Sequence, residues 1–333
     1  MDNCWFKTAK MGLIVHFGLY SLLGGEYKNK KMDSYCEWIQ SFCRIPNSEY
    51  EKLALKFNPK GFNANKLVKQ AKQNGFNYLI FTAKHHDGFC LFNSSYDNWN
   101  VMHTPYGKDI IKQVKAACDR YNVKFGIYYS QDLDWHEKNG GGYNSKNDDC
   151  AGTSWCNNWD FPNNKTKNFN DYFNNKVLFQ VNELCKNYGK IDLFWFDTPK
   201  TISLAQSKQL FNLVKKYHPN CLINSRIGNG NYDYVTLGDN EIPNEIPSKL
   251  ENINLNEING FKYSKNSLYE SVCTLNNNWG YSKFDKNFKS ITQVKAIKEK
   301  LNKLGINYTI NIAPNEKGKI CKQTLKILKA INK

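Results

Sequence analysis

The sequence predicts an α/β chain folded as a (β/α)8-like, TIM-type barrel, distorted in its second half, and three observations lead there. Eight short apolar runs recur along the 333 residues. Most are followed by a longer stretch with apolar residues at i, i+3 and i+4, the alternation that marks βα units and a parallel sheet. The length suits one barrel of roughly 250 residues plus insertions, and no internal repeat or linker marks a second unit, so residues 1–333 read as a single domain.

The expected strands cover residues 12–18, 78–84, 124–130, 191–197, 221–226, 232–237, 271–275 and 308–313. The first ends at His16-Phe17-Gly18, the second at Lys84-His85-His86-Asp87, and the third at Tyr128-Tyr129-Ser130. The fourth, Ile-Asp-Leu-Phe-Trp-Phe-Asp, delivers Trp195 and Asp197; the fifth ends at Arg226, and the sixth opens onto Gly238-Asp239-Asn240-Glu241. Helical periodicity covers 64–74, 109–121, 171–188, 202–218, 291–304 and 322–332. Between strands five and seven the connections are irregular and rich in Asn, Pro and Gly, which predicts the distortion. Residues 134–167 form a long polar segment, read as a loop over the barrel mouth with a disordered insertion as the alternative.

Composition narrows the function classes. Aromatic residues make up 14% of the chain, which excludes disorder and suits a carbohydrate or nucleobase site. The net charge of +16 comes from lysines scattered singly or in pairs, such as Lys66, Lys69 and Lys72, so a nucleic-acid partner is not expected. Eleven cysteines at irregular spacing, without a CxxC pair, argue against a disulfide framework or zinc ribbon. The opening MDNCWFKTAK carries no apolar leader and no run is long enough to span a bilayer, so a soluble, cytoplasmic protein is expected. A homo-oligomer is compatible with all of this.

A barrel of this kind places its active site at the C-terminal strand ends, where six strands here present polar groups. His16, His85 and His86, with Asp87, have a metal-site alternative, although adjacent strand residues point to opposite faces and would struggle to chelate one ion. Asp197 has two readings from position: a nucleophile in an aromatic mouth, or the N-cap of the segment after it.

The segments GLIVHFGLYS, FTAKHHDGF, FGIYYSQDLDW, LFWFD, INSRIGNG, TLNNNWGY and INYTINIAPNEKG stand in the order found in glycoside hydrolase family 29, the α-L-fucosidases, which this chain resembles from about Gly12 to Gly318. The resemblance implies retaining hydrolysis of α-L-fucosides with Asp197 as nucleophile. It further implies sugar contacts from His16, His85, His86, Tyr128, Trp195 and Arg226, with the Glu37-Trp38 pair as an added contact and Glu26-Tyr27 as its competitor. Many relatives append a C-terminal β-sandwich, which is not expected here, and no cofactor or metal is called for.

Retention needs two carboxyl groups about 5–5.5 Å apart. Three candidates remain for the acid/base: Asp239, favoured because Gly238 lets the loop turn into the mouth; Glu270, just ahead of strand seven; and Glu241, third, with aglycone contact as another role. The expected partner is a fucosylated oligosaccharide or glycan, α1,6-linked to N-acetylglucosamine by analogy with small bacterial fucosidases. A related α-L-galactosidase and a non-catalytic fucose-binding barrel stay open as rivals.

Overall fold

The computed structural model describes residues 4–144, 150, 154–246 and 268–332. Helix α1 (Cys4–Ala9) precedes strand β1 (Met11–Val15), and α2 (Ala64–Gln73) leads to β2 (Tyr78–Lys84). Then α3 (Ile110–Tyr121), β3 (Lys124–Ser130), α4 (Leu178–Asn187), β4 (Leu193–Asp197) and α5 (Leu204–Tyr217) follow in strict alternation. The alternation lapses over β5 (Leu222–Ile223), β6 (Val235–Thr236) and β7 (Tyr269–Thr274), and returns with α6 (Ile291–Lys303), β8 (Ile306–Ile312) and α7 (Lys322–Ala330).

The eight strands pair in parallel in the order β5-β4-β3-β2-β1-β8-β7-β6. The two ends of this sheet meet at one parallel bridge, Asn224 with Tyr234, supported by Asp233 N on Ile223 O at 2.8 Å, so the ring closes through a bridge and a few neighbouring bonds and not a full ladder. Both faces of the strands are buried, as a parallel sheet covered by helices requires. Inside the ring, Ile14, Tyr78, Ile80, Tyr128, Leu193, Trp195, Leu222 and Val272 form one cluster. A larger cluster fills the space between sheet and helices. Gly12 is needed inside: a Cβ there would lie 2.1 Å from the Tyr78 ring. Helix α1 plugs the N-terminal end, with Phe6 4.6 Å from the Tyr234 ring and its carbonyl accepting Asn307 Nδ2 at 2.8 Å.

The helices begin where the sequence places their caps. Asn63, Asp109, Ser203 and Ser290 each accept a backbone N–H of the first turn, and Ser203 and Ser290 complete capping boxes with Gln206 and Gln293. The expected helix at 171–188 starts earlier, with a helical turn Phe169–Tyr172 and a π-helical turn Phe173–Val177 before α4.

Three expectations need correction. Strand five stops at Ile223, because the Asn224 side chain takes over the pairing: its Oδ1 accepts Phe196 N at 2.8 Å and its Nδ2 donates to Phe196 O at 3.0 Å. Strand six shrinks to Val235–Thr236. Strand seven begins at Tyr269, two residues earlier than expected, which moves Glu270 into the ladder opposite Asn307 and Thr236. The cysteines form no framework, as expected: Cys150 and Cys156 are bonded six residues apart, and of the eight found free six are buried. In the long loop after β3, residues 145–149 and 151–153 lie outside the described residues, as does 247–267 of the irregular second half.

Candidate active site

Every strand end that the sequence singles out converges on one mouth. Asp197 closes β4 in register with Ser130 of β3, and its side chain is nearly buried. Tyr128, two residues earlier on β3, donates its hydroxyl to Asp197 Oδ2 at 2.8 Å, and Arg226 donates to Oδ1 at 3.0 Å. The backbone N–H of Asp197 donates to Gln131 Oε1 at 2.8 Å. The N-cap reading of Asp197 falls away, since α5 is capped by Ser203. Burial and the Asp197 charge push the Tyr128 phenol well above its usual range, so it stays a donor.

Arg226 lies in the tight turn Ser225–Ile227 that follows the truncated β5. Its guanidinium spans the two sides of the mouth, donating to Asp197 on one side and to Asp239 Oδ1 at 2.7 Å on the other. A third bond, to Leu237 O at 3.0 Å, and the Trp195 ring 4.9 Å below hold the fork in place. Asp239 is the more exposed carboxylate, about a third open to solvent. Its loop is pinned by Asn240, in left-handed conformation at φ 58°, whose Oδ1 accepts Thr274 N at 2.9 Å.

The three histidines form one cluster. His85 and His86 follow the last residue of β2, so both rings reach the same side, 4.1 Å apart. This removes the geometric objection to joint chelation, but Asp87 turns away to Tyr50 at 2.9 Å. Among the described residues no group of three His, Cys, Asp or Glu side chains could hold an ion. Burial depresses His16 to about 4 and drives His85 and His86 well below the ordinary imidazole range, so all three are neutral.

Their tautomers follow from their partners. The Asn311 amide donates through Nδ2 to Trp279 O, so its Oδ1 accepts from His16 Nδ1 at 2.7 Å. The Ser130 hydroxyl donates to Leu133 O, so it accepts from His86 Nδ1, also at 2.7 Å. Both rings therefore carry the proton on Nδ1 and keep an Nε2 lone pair; that of His86 lies 3.8 Å from Asp197 Oδ2. Lone pairs of this kind accept hydroxyl protons.

Glu37 and Trp38 form a short helical turn beside the histidines, with the Trp38 ring 4.9 Å from His86. Glu37 Oε2 accepts Gly280 N at 2.7 Å, while Oε1 is buried without a partner. Burial raises Glu37 to about 8, which makes it a carboxylic acid at neutral pH. Glu26-Tyr27, the competitor, lies elsewhere, paired with Lys283 and Glu49.

Two sequence candidates stand apart from the mouth. Glu270 is fully buried within the ring, where Oε1 accepts Trp195 Nε1 at 2.9 Å and Thr236 Oγ1 at 3.0 Å, and Oε2 accepts Tyr78 OH at 3.1 Å and Thr309 Oγ1 at 2.6 Å. Glu241 turns back on its own loop, accepting Gly238 N at 2.7 Å, which places its carboxylate on the loop and not on the Asp197 side. Sequence reasoning missed Gln131, which ties Asp197 N to Arg226 O, and the Trp279 ring, 5.5 Å from His16. Both sit in segments already conspicuous, QDLDW and TLNNNWGY, so the signal was present but not resolved to these side chains.

A family model described as alpha-L-fucosidase matches residues 2–333. Alpha-L-fucosidase AlfC from Lactobacillus casei, solved in complex with alpha-L-fucose product, is 47% identical with a TM-score of 0.89, the match covering 100% of this chain and 97% of that one. The alpha-L-fucosidase from Vibrio sp. strain EJY3 is 30% identical with a TM-score of 0.83, covering 98% of this chain and 53% of that one. Human plasma alpha-L-fucosidase is 34% identical over 135 residues, 38% of this chain and 29% of that protein, so the match spans less than a third of that curated relative. The family expected from the sequence is the family found across almost every residue: the chain belongs to the α-L-fucosidases, glycoside hydrolase family 29.

Proposed function

We propose that the protein is a retaining α-L-fucosidase working by double displacement, with Asp197 as nucleophile and Asp239 as acid/base. The observation that carries this reading is the single Arg226 guanidinium bound to both carboxylates at one mouth. Retention asks for one carboxylate that attacks and a second that first donates and then abstracts a proton. Asp197, nearly buried and oriented by Tyr128, Arg226 and Gln131, suits the attack; Asp239, at the open rim, is reachable by leaving group and water. A proton on Asp239 weakens its pair with Arg226 and leaves the guanidinium to the nucleophile. His16 and His86 accept sugar hydroxyl protons through Nε2, His85 lines the same wall, Trp38 packs against the ring, and buried Trp195, stacked on Tyr128 and beneath Arg226, supports the pocket from behind.

The leaving side is read as N-acetylglucosamine in α1,6 linkage, supported by a 46% identical AlfC mutant solved in complex with Fuca(1,6)GlcNAc. We take residues 1–333 as one catalytic barrel, without metal or cofactor and cytoplasmic; among the described residues no helix is long and apolar enough to cross a membrane.

Turnover of p-nitrophenyl α-L-fucoside tests the reading. Asp197→Asn is expected to lower kcat by roughly a thousandfold or more while retaining binding. Asp239→Ala should keep the aryl substrate far better than the disaccharide, with azide speeding its turnover to an α-fucosyl azide. Near-normal kcat in Asp197→Asn would remove the nucleophile assignment; azide rescue in Glu270→Ala instead of Asp239→Ala would exchange the two roles.

A further inference from the structure

Tyr35 stands immediately before the Glu37-Trp38 turn, and its backbone is left-handed, at φ 52° and ψ 49°. That region is disfavoured for a residue with a bulky side chain, and such conformations persist only where surrounding contacts hold them. Here they do. Tyr35 O accepts Trp38 N at 2.8 Å, Cys36 N donates to Asn278 Oδ1 at 3.0 Å, and Gly280 N donates to Glu37 Oε2 at 2.7 Å. The segment is therefore stapled to the 278–280 turn directly after the strained residue.

The ring so held is 38% exposed. Of the five large apolar side chains exposed among the described residues, the others are Leu55, Phe179, Leu204 and Phe284, none of them in a segment that supplies a site residue. Partial burial raises the Tyr35 phenol above its usual range, with Asp239 and Glu37 adding to the rise and Arg226 opposing it. Asn240, next to Asp239, accepts Thr274 N at 2.9 Å, and Thr274 ends the strand that leads into the 278–280 turn to which the Tyr35 segment is bonded, so Tyr35 stands on the acid side of the mouth. The fucose contacts already described lie deeper, on buried His16, His85, His86 and Tyr128. An exposed aromatic ring near the proton donor fits the sugar that leaves better than the sugar that is attacked.

We propose that Tyr35 is the leaving-group platform, the ring on which the first saccharide of the leaving group packs its apolar face while Asp239 protonates the glycosidic oxygen. The proposal rests on the fucosidase reading and on Asp239 as acid/base. The fixed backbone sets the direction of the Tyr35 side chain before substrate arrives, so less of the ordering falls on each binding event. Specificity for the leaving group then resides partly in this residue, outside the fucose pocket.

The test compares kcat/KM for Fuc-α1,6-GlcNAc with kcat/KM for α-L-fucosyl fluoride, whose leaving group has no face to stack. In Tyr35→Gly the ratio of disaccharide to fluoride should fall at least about tenfold; in Tyr35→Phe, which keeps the ring, it should stay within about threefold. Tyr35→Gly relieves the left-handed strain, so its Tm is expected at or above that of the wild type even as the ratio drops. A parallel fall for both substrates would make Tyr35 a prop for Glu37 and Trp38 and overturn the platform, as would an unchanged ratio. A wild type that hydrolyses neither substrate sinks the fucosidase reading itself and the platform with it. One that hydrolyses the fluoride alone sinks the platform and leaves fucosidase activity standing.

Discussion

Glu37 couples the chemistry of the site to the stability of the fold. Its carboxyl is raised from 4.5 to about 8 by burial, with one oxygen on Gly280 N and the other unpaired. The folded protein thus keeps this proton until about pH 8, whereas the unfolded chain loses it above roughly 4.5. Folding takes up a proton throughout that window, so Glu37 makes the protein less stable as pH rises through it. Glu37→Gln removes the titration and keeps the shape. The Tm of Glu37→Gln minus that of the wild type should therefore grow from pH 5 to pH 8, by the equivalent of a few kcal/mol. The buried histidines and Asp87 titrate alike in both proteins and cancel in this difference. Melts at the two pH values that show a constant difference would mean that Glu37 is ionised in the fold.

At the scale of elements, buried charge locks the loops that carry the histidines and Trp135. Asp134, from the loop after β3, accepts Lys84 Nζ of β2 at 3.0 Å and Lys176 Nζ of the π-helical turn at 3.1 Å, and all three side chains are fully buried. Lys176 also reaches Glu137 at 3.0 Å and Asp97 at 3.6 Å. The two ammonium groups hold Asp134 far below the usual carboxylate range despite its burial, and the carboxylates in turn push Lys176 up. The π-helical turn is what swings Lys176 inward while its neighbours Asn174 and Asn175 line an outer groove. Trp135, next to Asp134, donates its backbone N–H to His86 O at 2.7 Å, so this cluster also sets the histidine loop. Breaking a buried pair by removing one partner costs about 3–5 kcal/mol. Lys176→Met should lose stability of that size in urea denaturation; a loss below about 1 kcal/mol would show that Lys84 alone satisfies Asp134.

The same elements show what could be read in advance. Strands β1 to β4 and β8 were legible because both faces are buried and their apolar runs are unbroken. The cap residues Asn63, Asp109, Ser203 and Ser290 were equally visible, since capping is a local bond. Strand β5 was overextended because Asn224 looks like a strand residue in sequence, yet its amide completes β4 in place of the backbone. Glu270 misled for a different reason: it reads as standing just ahead of strand seven, where a carboxylate is free to serve a site, whereas the strand begins at Tyr269 and takes it in. Its four donors come from Trp195, Thr236, Tyr78 and Thr309, on four different strands, which no local pattern announces. Of the site, the motif residues were legible and the cross-links between them, such as Gln131, were not.

At the scale of the whole molecule, the weakest join of the ring and the active site fall in the same place. Strands β5 and β6 have two residues each, and they meet through one bridge, Asn224 with Tyr234, helped by Asp233 N on Ile223 O at 2.8 Å and by the Asp233 and Ser225 side chains, which accept Ile223 N at 2.9 Å and Thr236 N at 3.1 Å. Arg226 follows β5 and Asp239 follows β6, so their 2.7 Å ion pair bridges the seam, with the Arg226 bond to Leu237 O beside it. Opposite the seam, β1 is flanked by β2 and β8 through full ladders. Sub-global opening follows the least-bonded boundary, so backbone amides at Leu222, Ile223, Val235 and Thr236 should exchange with deuterium well before those of β1 and β8. Asp197 joins the same guanidinium, and a bound sugar that contacts Arg226 and Asp197 adds a further link across the gap. Saturating L-fucose is therefore expected to slow exchange at β5 and β6 by about tenfold or more, with much less change at α6 and α7. Uniform protection across all strands would indicate that fucose stabilises only against global unfolding. Exchange at β5 and β6 as slow as at β1 without ligand would show instead that the single bridge and its ion pair close the ring as firmly as a ladder.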